Sequence, residues 1–140
     1  MPDNTMQPAQ NTSLDDVKAF VQVLQAEPAL EFAVLIGSRA TGKARVDSDW
    51  DIALQWSPQL DWISMLGQTE TLRRNLANVL QIPPEAIDLI DLRRANLAMR
   101  ASVTEEGVSL TGQNSLAWAH FMQRTWRDLE DFYWSKRHAA

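Results

Sequence analysis

Gly37 and Ser38, followed ten residues later by Asp49-Trp50-Asp51, are the residues of this chain whose types and spacing can do chemistry. In an extended segment side chains alternate between faces, so Asp49 and Asp51 point the same way with their Cα atoms roughly 7 Å apart. Two carboxylates brought to ~4 Å at an effective dielectric of about 20 repel by on the order of 4 kcal/mol. The pair therefore calls for positive charge. A hard divalent cation such as Mg²⁺ takes oxygen ligands and keeps coordination positions open for phosphate. A Gly-Ser bend supplies backbone N–H groups and a hydroxyl to phosphate oxygens. Together these residues read as a metal–nucleotide site. Arg39, Lys43 and Arg45 are the cations near enough in sequence to offset a triphosphate, and the sequence does not choose among them. No Gly-rich run ends in Gly-Lys-Ser/Thr, which excludes a P-loop reading. His120 and His138 have no histidine or cysteine at ligand spacing and read as structural or surface residues.

The elements that must position these groups follow from periodicity. Phe32 to Ile36 is an apolar run of strand length, and Trp50 to Trp56 is a second. Gly37-Ser38 ends the first, and a short helix from Ser38 or Arg39 to Gly42 is expected in the connection. Ahead of them, Ser13 is a suitable N-cap for a helix with Leu14, Val17, Phe20, Val21 and Leu24 at helical spacing. Asp61 caps an expected helix over Trp62 to Leu80, with an apolar stripe of Trp62, Met65, Leu66, Leu72, Leu76 and Leu80. Pro83-Pro84 stops it, and Ala86 to Leu92 reads as a third strand. A short helix from Arg94 to Ala101 and an edge strand from Gly107 to Leu110 are expected next. A final helix from Ser115 to Arg137 gathers Trp118, Phe121, Met122, Trp126, Leu129, Phe132 and Tyr133 into one arc expected to be mostly core. Trp134 projects away from that arc and is the candidate interface anchor. This order indicates an α/β protein with a small mixed sheet packed with helices. If the third strand lies beside the second, Asp88 completes a three-carboxylate cluster. Asp91 lies three residues on, on the opposite face, and is the less favoured third acid.

At 140 residues, with 45% hydrophobic and 22% charged residues, the chain has the composition of a soluble globular domain. The expected organisation is a loose segment over 1–12 and a single domain over 13–140. A net charge of −5 argues against a broad nucleic-acid surface. The absence of cysteine excludes disulfides and thiolate metal sites and fits a cytoplasmic location. Neither a signal peptide nor a membrane span is expected.

The pattern Gly-Ser, ten residues, Asp-x-Asp, then a distant Asp in a short strand resembles the polymerase-β-type nucleotidyltransferase superfamily. Without a large second domain, the chain is most similar to the minimal nucleotidyltransferases that serve as antitoxins in HEPN–MNT toxin–antitoxin modules. The resemblance covers about residues 31 to 112. It implies that Asp49, Asp51 and Asp88 carry the reaction and ligate two Mg²⁺ ions, with Asp88 also assisting deprotonation of the attacking hydroxyl. Gly37 and Ser38 would bind the triphosphate of ATP, with Arg39 and Lys43 as further nucleotide contacts. The implied activity is transfer of AMP to a tyrosine of a HEPN-domain ribonuclease, which silences that toxin within a hetero-oligomeric complex. It implies no direct contact with nucleic acid or membrane. Two other readings fit less well: an antitoxin that only occludes its toxin, and an enzyme acting on a small molecule.

Overall fold

The computed structural model describes residues 12–139. The segment expected to be loose therefore lies, but for Thr12, outside the described residues. Helix α1 (Leu14–Gln25) leads to β1 (Leu30–Ile36), a one-turn α2 (Ser38–Thr41) and β2 (Trp50–Trp56). Next come α3 (Trp62–Leu80), β3 (Ile87–Asp91), α4 (Leu97–Glu106), β4 (Val108–Thr111) and α5 (Leu116–Arg137). Short 3₁₀ turns flank β3 on both sides.

Local chemistry sets the helix starts. Ser13 Oγ accepts from the Asp16 amide at 3.1 Å, Asp61 from Ser64 at 2.8 Å, Asn96 from Met99 at 2.9 Å and Ser115 from Trp118 at 3.1 Å. Each cap satisfies an amide that the helix cannot pair internally. Asn96 also corrects one expectation. The helix expected from Arg94 to Ala101 begins at Leu97 and runs to Glu106, because Asn96 is the cap and Arg94 belongs to the preceding 3₁₀ turn.

The four strands form one mixed sheet in the order β3-β2-β1-β4. β1 pairs antiparallel with β2 and with β4, and β2 pairs parallel with β3. Helices cover both faces, so β1 is buried on both and shows no polar alternation. On one face Ala33, Leu35, Trp50, Ile52, Leu54 and Trp56 pack with Phe20 and Leu24 of α1 and Leu72 and Leu76 of α3. On the other, Phe32, Val34, Ile36 and Ala53 pack with Leu92, Val103 of α4 and Phe121 of α5. No helix among the described residues is long and apolar enough to cross a membrane.

Two expected apolar stripes are only partly covered. In α3, Met65, Leu72 and Leu76 are buried, whereas Trp62 and Leu66 are about half exposed. In α5, Phe121 and Thr125 are buried, but Trp126, Phe132 and Tyr133 are exposed. Length explains this. The 22 residues of α5 span ~33 Å at ~1.5 Å per residue, while a seven-residue strand reaches only about 23 Å at ~3.3 Å per residue. The last turns of α5 run past the sheet, and every described residue from Glu130 on is exposed. Trp134 lies there, stacked on His138 with centroids 4.1 Å apart.

Leu72→Ala removes a fully buried side chain between α3 and the sheet and should lower the unfolding free energy by about 2–5 kcal/mol. Trp134→Ala should leave it within about 0.5 kcal/mol of wild type. Denaturant titration of the two variants checks this contrast.

Candidate active site

β1 ends at Ile36, and the antiparallel register sets Ile36 opposite Asp51. The parallel register sets Asp51 beside Asp88. Strand side chains alternate, so Asp51 and Asp88 share a face with Val34, Ile36 and Ala53, the face covered by α4 and α5. Trp50, between the two aspartates in sequence, points the other way into the α1–α3 core and is 3% exposed. Burying this ring on one side of the sheet forces its neighbour Asp51 to the other. Asp49 precedes the strand and is exposed, as is Asp88, while Asp51 is half-buried.

Gly37 closes this corner. Its φ of 75° and ψ of −160° belong to a region that residues with a Cβ avoid. A Cβ there would also collide with the Asp51 carboxylate Oδ2. Glycine thus lets the β1–α2 turn lie directly against that carboxylate. The Gly37 carbonyl then accepts from the Ala40 and Thr41 amides at 3.0 and 3.1 Å, which starts α2. The Lys43 amide donates to the Ser38 carbonyl at 3.0 Å, and Gly42 ends α2 in the left-handed conformation. Ser38 is half-buried at this turn, and Lys43 and Arg45 are exposed on the loop that follows.

The charges are left facing one another. Burial, then the negative charge of Asp88, then that of Asp49, raise the pKa of the Asp51 carboxyl. None of the ion pairs among the described residues involves these three acids. Such an all-oxygen, anionic donor set suits Mg²⁺. The three do not form a closed cage: among the described residues no group of three potential ligands is close enough to hold an ion. Asp49 and Asp88 are on the surface, where a change of rotamer displaces no core atom. Asp91 is on the opposite sheet face, level with Leu54. It accepts from the Arg93 amide at 3.0 Å and pairs with the Arg93 guanidinium at 3.6 Å. Its task is to cap the turn after β3.

Arg39 sits apart from the exposed cations. It is 7% exposed, and its Nε and Nη2 donate to the Ser48 carbonyl at 3.2 and 2.8 Å. Its side chain is spent on the Ser48 and Val46 carbonyls and on the Trp50 ring. Periodicity could not foresee this, because α2 is a single turn and has no face to read. The one available signal was Trp50, a large flat ring close by in sequence on which a guanidinium can stack.

Residues 18–116 match the family described as polymerase beta, nucleotidyltransferase. The chain belongs to this family. Its mixed four-stranded sheet and the helices that cover it are thus the nucleotidyltransferase fold. The chain is similar to the protein adenylyltransferase MntA of Aphanizomenon flos-aquae, at 27% identity over 109 residues that span 74% of this chain and 71% of that protein. A solved chain from a toxin–antitoxin crystal structure with AMP-PNP superposes with a TM-score of 0.66 at 26% identity, covering 89% of this chain and 94% of that one. The fold is shared also by a chain from the complex of tri-AMPylated Shewanella oneidensis HEPN toxin with MNT antitoxin, with a TM-score of 0.60, 24% identity, and 87% and 90% coverage.

The raised pKa of Asp51 has a stability consequence. The folded state holds that proton more tightly than the unfolded state, so the contribution of Asp51 is greatest at low pH and is lost as pH rises through the folded-state pKa. Asp51→Asn removes a half-buried, repelled charge and should raise the melting temperature of the isolated protein at neutral pH, with a gain that shrinks as pH falls through the raised folded-state pKa and is gone below the ordinary carboxylate range. A melting series from acid to neutral pH measures it. Equal melting at all pH values would contradict the stated cause of the shift.

Proposed function

We propose that this chain is a Mg²⁺-dependent protein adenylyltransferase. It moves AMP from ATP to a tyrosine of a HEPN-domain toxin and thereby silences the toxin. The observation that carries the reading is the register of β1, β2 and β3, which sets Asp51 beside Asp88 and against the Gly37 turn in a chain of the nucleotidyltransferase family. Its likeness to an MntA adenylyltransferase supports the protein substrate, and the likeness to a toxin–antitoxin structure with AMP-PNP supports both ATP and the partner.

In this reading the tyrosine oxygen attacks the α-phosphorus, a P–O bond forms there, and the bond to the pyrophosphate oxygen breaks. Asp88, exposed at the open side of the sheet, receives the phenolic proton. Asp49 and Asp51, with Asp88, would hold Mg²⁺, which supplies neutralisation of the charge that gathers on the phosphate oxygens. The Gly37-Ser38 bend receives the triphosphate, with Lys43 or Arg45 as the exposed countercharge. Such transfer depends on positioning and electrostatics rather than on a covalent enzyme intermediate. Residues 13–140 act as one minimal domain, in the cytoplasm, within a complex with the toxin. The net charge of −5 argues against a broad nucleic-acid-binding surface.

Incubated with ATP, Mg²⁺ and its cognate HEPN-domain protein, the chain should add mass increments of one AMP residue to that partner. Asp49→Ala combined with Asp51→Ala should cut the transfer rate by more than the ~100-fold that bounds the loss of an outer-shell metal contact. Intact-mass spectrometry of the partner reads both. A double variant that adds no AMP yet still neutralises the toxin would mean inhibition by binding alone.

A further inference from the structure

Arg39 grips the chain on both sides of Asp49. Its Nε and Nη2 converge on the carbonyl of Ser48, which belongs to the peptide unit that enters Asp49. Nη2 also donates to the Val46 carbonyl at 3.3 Å, and Nη1 to Thr12 Oγ1 at 3.4 Å. On the far side of Asp49, the guanidinium Cζ lies over the Trp50 ring, 4.3 Å from its centroid. That ring is itself held edge-on by Phe20, with centroids 4.8 Å apart at 75°. The loop adds its own closure, since the Ser48 amide donates to the Arg45 carbonyl at 3.0 Å and the Arg45 amide to Ser48 Oγ at 2.8 Å.

Asp49 needs such support. It precedes β2, is exposed, and makes no side-chain hydrogen bond among those of the described residues. Asp51 has the sheet register to fix it, and Asp49 does not. We propose that Arg39 is a positioning residue, which holds the backbone before Asp49 through the Ser48 carbonyl and the residue after it through the Trp50 ring, so that this carboxylate is presented beside Asp51. All three guanidinium nitrogens have hydrogen-bond partners within the chain, so Arg39 acts through Asp49 and not on the phosphates. A planar fork is what the task demands: two donors meet on one carbonyl while the flat face stacks on an indole, and a lysine ammonium cannot do both.

The inference rests on the adenylyltransferase reading for its catalytic arm only. In that arm, AMP transfer to the HEPN partner is measured against Mg²⁺ and against ATP for wild type, Arg39→Lys and Arg39→Gln. The Mg²⁺ concentration for half-maximal rate should rise about 10-fold or more, as for loss of a group that orients a metal ligand. KM for ATP at saturating Mg²⁺ should change by less than twofold. The opposite split, a raised KM for ATP with unchanged Mg²⁺ dependence, would assign Arg39 to the phosphates and overturn the proposal. The second arm needs no activity. Amide hydrogen exchange over residues 46–50 should speed about 10-fold in Arg39→Lys while residues 62–80 of α3 keep wild-type protection, a local opening and not a global one. Exchange over 46–50 that matches wild type, or that rises equally in α3, would overturn it. Arg39→Lys decides both arms should Arg39→Gln fail to fold. A wild-type protein that transfers no AMP would sink the adenylyltransferase reading, and the exchange arm would still decide whether Arg39 holds Asp49.

Discussion

Like charges on adjacent strands are the constraint around which this protein is built. Asp51 stands beside Asp88 in a parallel ladder, with Asp49 near enough that both neighbours raise its pKa. Left to itself, that repulsion would part the strands at their entry end. The rest of the fold holds them. Ile52 to Leu54 and Leu89 to Ile90 continue the same two strands into apolar cores on both faces. A few buried side chains of that size, at about 1.5–3 kcal/mol each, exceed the repulsion of one partly exposed pair. Stability is thus stored away from the site and spent at it, a common arrangement where carboxylates must face one another.

The same constraint explains the turn. Sheet geometry delivers β1 to the site at Ile36, and the chain must then leave without covering the carboxylates. A residue with a Cβ at position 37 would occupy the space of the Asp51 oxygens. Glycine at a positive φ lets backbone amides, and not a side chain, border that space. The turn after β3 is treated differently. There Asp91 accepts from the Arg93 amide and pairs with the Arg93 guanidinium, on the face opposite Asp51 and Asp88.

Relatedness and geometry carry different parts of the functional reading. Family membership fixes the scaffold and the class of transfer. The likeness to an MntA protein and to a toxin–antitoxin chain with AMP-PNP points to AMP and a protein acceptor. What the geometry adds is a division of labour among residues that look alike in sequence. Arg39, Lys43 and Arg45 are three cations in one loop, yet one is sealed beneath Trp50 and two are exposed. Likewise Asp88 and Asp91 are two acids in one short strand on opposite faces.

Much of this was legible in the sequence, because it depends on short-range rules. The caps at Ser13 and Asp61 and the strands over Phe32 to Ile36 and Trp50 to Trp56 follow from local periodicity and side-chain hydrogen bonding. The Gly-Ser, ten residues, Asp-x-Asp spacing is likewise a local pattern, and it was enough to suggest the family. Tertiary structure decided what depends on neighbours distant in sequence. The pairing of β3 with β2 placed Asp88 rather than Asp91 beside Asp51. The burial of Trp50 under Phe20 gave Arg39 a ring to stack on and drew it inward. The limited extent of the sheet left Trp126, Phe132 and Tyr133 exposed, although their spacing alone made them core. Periodicity reports which side of an element is apolar; only packing reports whether anything lies against it.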